Sequence, residues 1–442
     1  MGPLCLSIPA LLVRSLYYAQ ITSHLCIVQS LVHLSALSCN EEHLGNPEPR
    51  TIDTALGRET VRREQFTANA PGELVRISQD GKEQWAVLPA SLPPAWRLDL
   101  SVINRLVFAE RALGALNGLG EMLPNPHLLI RLFLQREAVA SSRIEGTLTD
   151  LQQLMLFEAD ETAAPETGDA REVGNYVRAL TYGLTQPPDR SISPALIREL
   201  HHLLMDDVRG GDRNPGRFRQ RQVFISGRGA EGMSFVPPPP TDVPVLIDQL
   251  AKFVDESSEL PELVRIALVH YQFETIHPFE DGNGRVGRLL MSLLLCRWGL
   301  LRKPLLYLSG YFEQNREAYI NGLLAVSQQG AWDPWIDLCL DAVTIQARDG
   351  LERSRRLLDL RDRYRAHYQT GKQAGVLPVI DSLFEWPTTT VKQLEERLDM
   401  PRFSAHRYVT ALSEQGVLVE LTGRQRNRVF AAHEVIRILS EP

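Results

Sequence analysis

Residues 277–288 read HPFEDGNGRVGR, a run that combines a base, acids, two glycines and two arginines. The imidazole of His277 could act as a general base near neutral pH. Asp281 supplies a carboxylate of the kind that binds Mg²⁺ together with water and substrate phosphates. Gly282 and Gly284 would let the backbone turn tightly and approach a ligand. The run therefore predicts a site for a metal-bound polyphosphate.

Two helices are expected to position this run. Apolar residues recur at helical spacing over 262–276, which predicts one helix. Pro278 disfavours helical geometry at His277, so this helix should end there, where the side chain can face a cleft. The apolar run 289–295 predicts a second, buried helix that begins at the glycine loop.

The start of the second helix is expected to bind anions, because the N–H groups of a first helical turn are free. Arg285 and Arg288, three residues apart, would lie on one face and bind phosphate oxygens. Asn283 tolerates the tight turn and adds an amide donor. Any one of these residues alone is typical of a solvated turn, but their joint spacing favours the ligand site.

The run matches the motif of the Fic family, H-x-F-x-D/E-G-N-G-R-x-x-R, at every defined position. The resemblance covers about residues 96–341 and includes the segments EVGNY at 172–176, GRFR at 216–219 and LYLSGYF at 306–312. Proteins of this family are helical, and most transfer AMP from Mg-ATP to a hydroxyl group of a target protein. The resemblance implies a mainly α fold and a protein adenylyltransferase that uses ATP and Mg²⁺.

The resemblance also assigns roles by position. His277 would deprotonate a Ser, Thr or Tyr hydroxyl, and Asp281 would hold Mg²⁺. The loop Gly282-Asn283-Gly284 would bind the α- and β-phosphates with Arg285, and Arg288 would bind the γ-phosphate. Related kinases depart from the sequence G-N-G-R, so its presence here favours transfer of AMP over transfer of a phosphoryl group.

A second element fits the family's inhibitory motif [S/T]-x-x-x-E-[G/N]. Ser141 and Glu145 are four residues apart on one predicted helix face, and Gly146 suits the helix end. By resemblance, Glu145 would pair with Arg288 and keep that arginine from the γ-phosphate. A surface helix end remains the simpler alternative, and in some relatives the same glutamate supports removal of AMP.

Between these elements, residues 222–226 and 233–236 predict a β-hairpin around the glycine-rich tip 227–232. The family uses a hairpin here, called the flap, to align the target by strand addition. A hairpin that only covers the core is the alternative. The residues expected to dock the target are Val223, Phe224 and Ile225.

The C-terminal segment 373–442 resembles a winged helix. Helices are predicted at 391–398 and 404–415, followed by strands at 416–421 and 428–430. Acidic residues outnumber basic ones by one from Val376 onwards, so a DNA-binding role is not favoured. A local cluster of Arg424, Arg426 and Arg428 keeps DNA open as a partner, but we expect contacts with protein or a second copy of the chain.

Composition sets limits on these expectations. The 442 residues carry a net charge of -7, which gives no general reason for nucleic-acid binding. Five cysteines without a C-x-x-C pair predict neither disulfides nor a zinc site, so a reducing, cytoplasmic location is expected. The apolar pieces of residues 4–39 are too short and broken for a membrane span. Arg14 interrupts the apolar run and no basic segment precedes it, so a signal peptide is not expected either.

The expected organisation is a sequence of five segments. They are an N-terminal extension at 1–60, an N-terminal region with the inhibitory helix at 61–150, the catalytic core at 151–345, a connecting helix at 346–372 and the winged-helix-like domain at 373–442. We expect residues 1–60 to come from an upstream start site, with translation beginning near Val61.

Two alternatives to the adenylyltransferase remain. One is a winged-helix transcription regulator whose Fic core senses nucleotide, and the other is a Fic enzyme that removes AMP or transfers another nucleotide. The intact base His277 argues against a pure sensor. The target protein, the modified residue and the oligomeric state cannot be read from the sequence, and a homodimer is left open.

Overall fold

The computed structural model describes residues 61–79, 82–122, 127–160, 162, 169–208, 214–226, 234–369 and 374–441. Contacts divide the chain into two units, Met1–Gly57 and Arg58–Pro442, and every described residue lies in the second unit. The expected N-terminal extension at 1–60 lies outside the described residues. Within the described ranges, no helix has the length and apolar character needed to cross a bilayer.

The described unit is mainly helical, as predicted. It opens with the antiparallel hairpin of β1 (Glu73–Gln79) and β2 (Lys82–Leu88). Five helices follow: α1 (Leu100–Met122), α2 (His127–Ile144), α3 (Leu151–Ala159), α4 (Asp169–Thr185) and α5 (Pro194–Leu204). After a short hairpin come α6 (Val243–Asp255), α7 (Glu262–Ile276), α8 (Asn283–Arg297), α9 (Ser309–Gln314), α10 (Arg316–Gln329) and α11 (Trp332–Tyr368).

Helices α7 and α8 form a buried pair. Nearly every residue of α7 is buried, and α4, α5 and α2 pack against α8. A helix that is covered on all sides tolerates apolar residues on every face. The long helix α11 packs along α1 on another side of the same core. This packing fixes both ends of the loop that joins α7 to α8.

The link between α2 and α3 is short and closed by a capping box. The carboxylate of Asp150 accepts the N–H of Gln153 at 2.7 Å, and the Gln153 side chain accepts the N–H of Asp150 at 3.1 Å. Reciprocal bonds of this kind satisfy free donors at a helix start. Gly146 has φ +97°, a conformation that suits the turn after α2.

The predicted hairpin is present, but its strands are short. β3 (Ile225–Ser226) pairs with β4 (Ser234–Phe235), so Val223 and Phe224 precede the strand instead of lying in it. Its base packs on the N-terminal hairpin, where Phe224 joins a small apolar cluster around Ala86 and Val236. The tip at 227–233 lies outside the described residues.

The C-terminal elements follow the predicted order. They are α12 (Leu377–Leu383), β5 (Thr388–Thr389), α13 (Val391–Leu398), α14 (Arg402–Glu414), β6 (Val419–Glu420), β7 (Phe430–Ala431) and α15 (His433–Ser440). The strands form one antiparallel sheet in the order β5-β7-β6. Assignment of this group, hereafter the C-terminal module, to the winged helices stays a prediction.

The C-terminal module packs on α2 and α3. The ring of Trp386 lies between the guanidinium groups of Arg131 on α2 and Arg397 on α13, at 3.6 and 4.0 Å from the ring centre. Thr388 donates a hydrogen bond to the carbonyl of Met155 in α3 at 2.7 Å. Arg424 forms an ion pair with Asp160 at 2.8 Å. One arginine of the predicted basic cluster is therefore bound within the chain.

Candidate active site

His277 lies directly after α7 in the left-handed conformation, with φ +50°. Its Nδ1 lies 3.3 Å from the carbonyl oxygen of Glu274. Because a carbonyl can only accept, Nδ1 carries the proton and the lone pair is on Nε2. Burial and then the charge of Arg219 lower the pKa of His277 to about 4. The ring is therefore neutral at pH 7 and able to accept a proton.

The loop after His277 is held by the side chain of Asn283. Its Oδ1 accepts the N–H of Phe279 at 2.8 Å, and its Nδ2 donates to the carbonyl of Phe279 at 2.9 Å. Asn283 is buried, and its amide is occupied by the loop. The predicted amide donor is thus internal, so a ligand would meet Asn283 through its backbone.

His201 on α5 supports the other side of the loop. Its Nδ1 accepts the N–H of Gly216 at 2.8 Å, so Nε2 carries the proton and donates to the carbonyl of Asp281 at 3.1 Å. Its ring stacks on Phe279 with centroids 3.7 Å apart. Gly282 has φ +75° and faces Met205, leaving no space for a side chain. The loop backbone is therefore fixed from two helices.

Helix α8 begins directly at this loop. Its first-turn N–H groups have no acceptor within the helix, and they carry the positive end of the helix dipole. Gly284 lies in this turn, where a methyl group would overlap the carboxylate of Glu145. Such a helix start is suited to bind an anion, and in this structure the carboxylate of Glu145 lies next to it.

Arg288 is occupied by the segment predicted to be inhibitory. Its Nη2 donates to Oε1 of Glu145 at 2.7 Å and to the carbonyl of Ser141 at 2.9 Å, and its Nε donates to Oγ of Ser141 at 2.9 Å. Burial raises the pKa of Glu145, but the charge and hydrogen bond of Arg288, together with the electrostatic contributions of Arg285 and His277, outweigh burial, and the pKa is lowered. Arg288 is almost fully buried, whereas the Glu145 side chain keeps 40% of its exposure. The carboxylate therefore sits at the open side of the pair.

Arg285 is buried beside Arg288 and forms an ion pair with Glu172 on α4. Its Nη2 lies 3.7 Å from Oδ1 of Asp281. Asp281 retains 36% of its side-chain exposure, and its Oδ1 also accepts the N–H of Gly282 at 2.7 Å. One partly exposed carboxylate beside a helix start fits an ion that phosphates and water also bind, as Mg²⁺ does with ATP.

A buried polar shell surrounds Arg288. The hydroxyl oxygen of Tyr319 and Nε2 of His270 lie 2.8 Å apart and share a hydrogen bond. Glu274 on α7 lies against Gly287, and its Oε1 is buried without a hydrogen-bond partner among the described residues. Burial raises the pKa of Glu274 to about 8, and the charge of Glu145 adds to this rise. Glu274 is therefore mostly protonated at pH 7 while Glu145 holds the arginine.

The structure brings together most of the residues selected from the sequence. The base, the acid, the glycine loop, both arginines and the inhibitory residues form one continuous site. Sequence reasoning missed the parts played by Glu172, His201, Arg219 and Glu274. Glu172 and Arg219 lie in segments that carried the family resemblance, whereas His201 and Glu274 had no local signal.

Two family models match this region. The Fic/DOC family N-terminal model matches residues 103–185, and the Fic/DOC family model matches residues 191–295. A probable protein adenylyltransferase of Aquifex aeolicus is 29% identical over 189 residues, which are 43% of this chain and 53% of that protein. The protein adenylyltransferase Fic of Drosophila melanogaster is 35% identical over 166 residues, 35% of this chain and 31% of that protein.

The chain thus spans about half of the length of the Aquifex relative and about a third of the Drosophila relative. The crystal structure of a Fic family protein from Desulfovibrio desulfuricans G20 has the same fold. It superposes with a TM-score of 0.52 at 21% identity, covering 77% of this chain and 98% of its own. The chain therefore contains the two domains of the Fic/DOC family, at residues 103–185 and 191–295.

Proposed function

We propose that this protein is an adenylyltransferase that transfers AMP from Mg-ATP to a Ser, Thr or Tyr hydroxyl of a protein, and that Glu145 inhibits the transfer. One observation carries the proposal. A neutral imidazole, His277, and a partly exposed carboxylate, Asp281, flank a helix start that also presents Arg285 and Arg288. The names of the Aquifex and Drosophila relatives support the same activity.

The nucleotide would bind along the start of α8. Its α- and β-phosphates would accept hydrogen bonds from the first-turn N–H groups and from Arg285, and Arg288 would bind the γ-phosphate. Mg²⁺ on Asp281 would neutralise charge on the phosphates and on the departing pyrophosphate. Glu172 would keep the Arg285 guanidinium oriented from behind.

The chemistry is an in-line displacement at the α-phosphorus. The target hydroxyl would donate its proton to Nε2 of His277 while its oxygen forms a bond to the α-phosphorus. The bond from the α-phosphorus to the bridging oxygen breaks, and pyrophosphate leaves. Positioning and charge stabilisation supply most of the rate in such transfers, which matches a preformed loop fixed by Asn283 and His201.

Inhibition follows from competition for Arg288. While Glu145 pairs with Arg288, that arginine cannot also bind the γ-phosphate. The same carboxylate covers Gly284, where a methyl group would touch it, so it also stands over the helix start. ATP would then bind in a pose that does not present the α-phosphorus to His277.

The β3/β4 hairpin would serve as the docking edge for the target. Residue Ile225 lies in a two-residue strand, and Val223 and Phe224 lead into it. A target segment that adds to this edge by backbone hydrogen bonds would be held beside His277. Such docking would depend more on an extended backbone conformation of the target segment than on its amino-acid sequence.

The proposal is tested with ATP labelled at either the α- or the γ-phosphorus. In Glu145→Gly protein, with cell lysate supplied as a source of targets, label from the α-position should become bound to protein and label from the γ-position should not. The label should disappear in Glu145→Gly/His277→Ala. Transfer of the γ-label would indicate a kinase, and nucleotide binding without any protein labelling would overturn the proposal.

A further inference from the structure

Arg219 is a buried cation whose hydrogen bonds all go to main-chain carbonyl groups. Its Nε donates to His277 at 2.8 Å, and its Nη2 donates to Pro238 at 2.6 Å and to Ile276 at 3.3 Å. Its Nη1 donates to Arg221 at 3.2 Å. Within the described ranges, no ion pair involves Arg219, so the guanidinium serves backbone geometry.

These four carbonyl groups belong to two parts of the site. Arg221 and Pro238 lie on either side of the β3/β4 hairpin, at its entry and its exit. Ile276 and His277 form the end of α7 and carry the base. The backbone N–H of Arg219 also donates to the carbonyl of Pro278 at 2.9 Å. One planar group therefore joins both ends of the hairpin to the loop that holds His277.

The free energy needed to bury the Arg219 cation without a carboxylate partner indicates a specific role. A buried cation without a carboxylate loses hydration, and burial lowers the pKa of Arg219 to about 10. The carbonyl groups at the end of α7 offset part of this cost, because a helix C-terminus carries partial negative charge and lacks internal donors. A neutral side chain could fill the space, but a side-chain amide has only two N–H donors, too few for all four carbonyl groups.

We propose that Arg219 is a positioning residue that fixes the hairpin relative to His277, so that a docked hydroxyl arrives at the imidazole. This inference rests on the proposed adenylyl transfer. A misplacement of about 1 Å between base and nucleophile can lower a rate by roughly 100-fold. Arg219 touches neither nucleotide nor target in this role and acts through the backbone of two segments.

The charge of Arg219 adds a second effect on the base. It is the largest electrostatic contribution to the low pKa of His277 after burial. The charges of Glu145 and Asp281 raise the pKa of His277, and so does the hydrogen bond between Nδ1 and the carbonyl of Glu274. Loss of the charge and loss of the forked geometry can therefore be separated by substitution.

The test compares Arg219→Lys, which keeps the charge and loses the fork, with Arg219→Met, which loses both, in the Glu145→Gly background. For Arg219→Lys we expect transfer of AMP to protein to fall by up to roughly 100-fold, with unchanged affinity for ATP. Arg219→Met should lose transfer to a similar extent. Because it also removes the charge that lowers the pKa of His277, the acid limb of its residual activity should lie at a higher pH than in the parent. The matched control is Arg217→Lys, because Arg217 is exposed two residues away.

Hydrogen exchange of residues 222–226 provides the second measurement and does not depend on activity. Exchange there should accelerate in both Arg219 variants and not in Arg217→Lys. Full transfer activity in Arg219→Lys, or a loss of ATP affinity in proportion to the loss of transfer, would overturn the positioning role. If the Glu145→Gly parent itself transfers no AMP, the proposed function fails. Unchanged hydrogen exchange of residues 222–226 in Arg219→Lys would separately refute the positioning role of Arg219.

Discussion

In the proposed mechanism, Arg288 is the residue on which both activity and inhibition depend. Its guanidinium is held by Glu145 and Ser141, with the buried carboxyl of Glu274 close by. Burial keeps the pKa of Glu274 near 8, so only Glu145 is ionised beside the arginine at pH 7. When Glu145 withdraws, Arg288 loses its ionised partner, and the pKa of Glu274 falls because the charge of Glu145 no longer raises it. A triphosphate would then compete for Arg288 with Glu274 and no longer with Glu145.

Ser141→Ala should weaken inhibition by removing one of the hydrogen bonds that hold Arg288 at the inhibitory segment. The hydroxyl accepts a hydrogen bond from Arg288 at 2.9 Å, and a bond to a charged group contributes about 1.5–3 kcal/mol. Because the carbonyl of Ser141 remains as an acceptor for Arg288, we expect a smaller effect than this, a rise in AMP transfer of about 3- to 10-fold. Initial rates of protein labelling measure the change.

The control for this substitution is Ser142→Ala, since the neighbouring hydroxyl is buried and has no hydrogen-bond partner in the part of the chain that the structure describes. It should leave the transfer rate unchanged. Ser141→Ala should also add nothing once Glu145 is replaced by Gly. A rise of the same size in that background would assign the effect to something other than inhibition.

The pH dependence of the transfer should reflect the low pKa of His277. The neutral ring is the active form, so activity is retained at neutral pH and lost as the pH falls through the pKa of about 4. In Glu145→Gly a carboxylate that raises this pKa is also removed. With Mg²⁺ in excess, we expect the acid limb of kcat/KM for ATP to lie at least one unit below the ordinary histidine value of about 6.5. An acid limb at pH 6.5 or above would contradict this assignment of the base.

At the scale of elements, the loop between α7 and α8 depends on one amide. Asn283→Ala would remove both bonds to Phe279 and leave a buried N–H and a buried carbonyl unsatisfied. We expect the free energy of unfolding to fall by about 2–4 kcal/mol, as measured by denaturant titration. Asn104→Ala, at an exposed position of α1, should change it by less than about 0.5 kcal/mol. Equal stability of the two variants would show that the loop is held by other contacts.

Local patterns were sufficient for the elements that carry the site. Pro278 predicted the end of α7 at Ile276, and the helix predicted at 391–398 has those bounds in the structure. The strands of the hairpin are shorter than predicted, because β-prone residues do not reveal where backbone pairing stops. The start of α14 lies two residues before the predicted Ser404, directly after Pro401.

Long-range pairs could not be predicted in the same way. Glu172 and Arg285 are 113 residues apart and belong to different helices, so no spacing rule relates them. The side chain of Asn283 could have faced a ligand or its own loop, and only the folded loop decides between the two. The same holds for Arg219, whose partners are backbone atoms and leave no trace in the sequence.

At the scale of the whole described unit, the C-terminal module contacts the two helices on either side of the segment predicted to be inhibitory. It stacks Trp386 on Arg131 of α2 and donates from Thr388 and Gln393 to the carbonyl groups of Met155 and Ala159 in α3. Helices α2 and α3 flank the link that contains Glu145. We therefore expect a change in the contacts of this module to alter the position of the segment that pairs with Arg288.

Trp386→Ala should partly release inhibition. Removing the ring leaves Arg131 and Arg397 without their shared partner, which should loosen α2 against the module. For a coupling of about 0.5–1.4 kcal/mol, we expect labelling by otherwise wild-type protein to rise roughly 2- to 10-fold. No further rise is expected in Glu145→Gly.

A suitable control is Trp298→Ala, because that ring also packs on an arginine, Arg265 at 4.4 Å, but lies at the far end of α8. It should lower stability without increasing labelling. If both tryptophan variants raised the rate equally, general loosening and not the module would be responsible.

Intact-protein mass spectrometry after incubation with Mg-ATP tests most directly whether Glu145 withholds Arg288 from a competent adenylyltransferase site. Glu145→Gly should gain the mass of one or more AMP groups, wild-type protein should gain little, and Glu145→Gly/His277→Ala should gain none. Equal modification of wild type and Glu145→Gly would contradict the inhibitory pair. A Glu145→Gly protein that binds ATP but adds AMP neither to itself nor to lysate proteins would contradict the transferase.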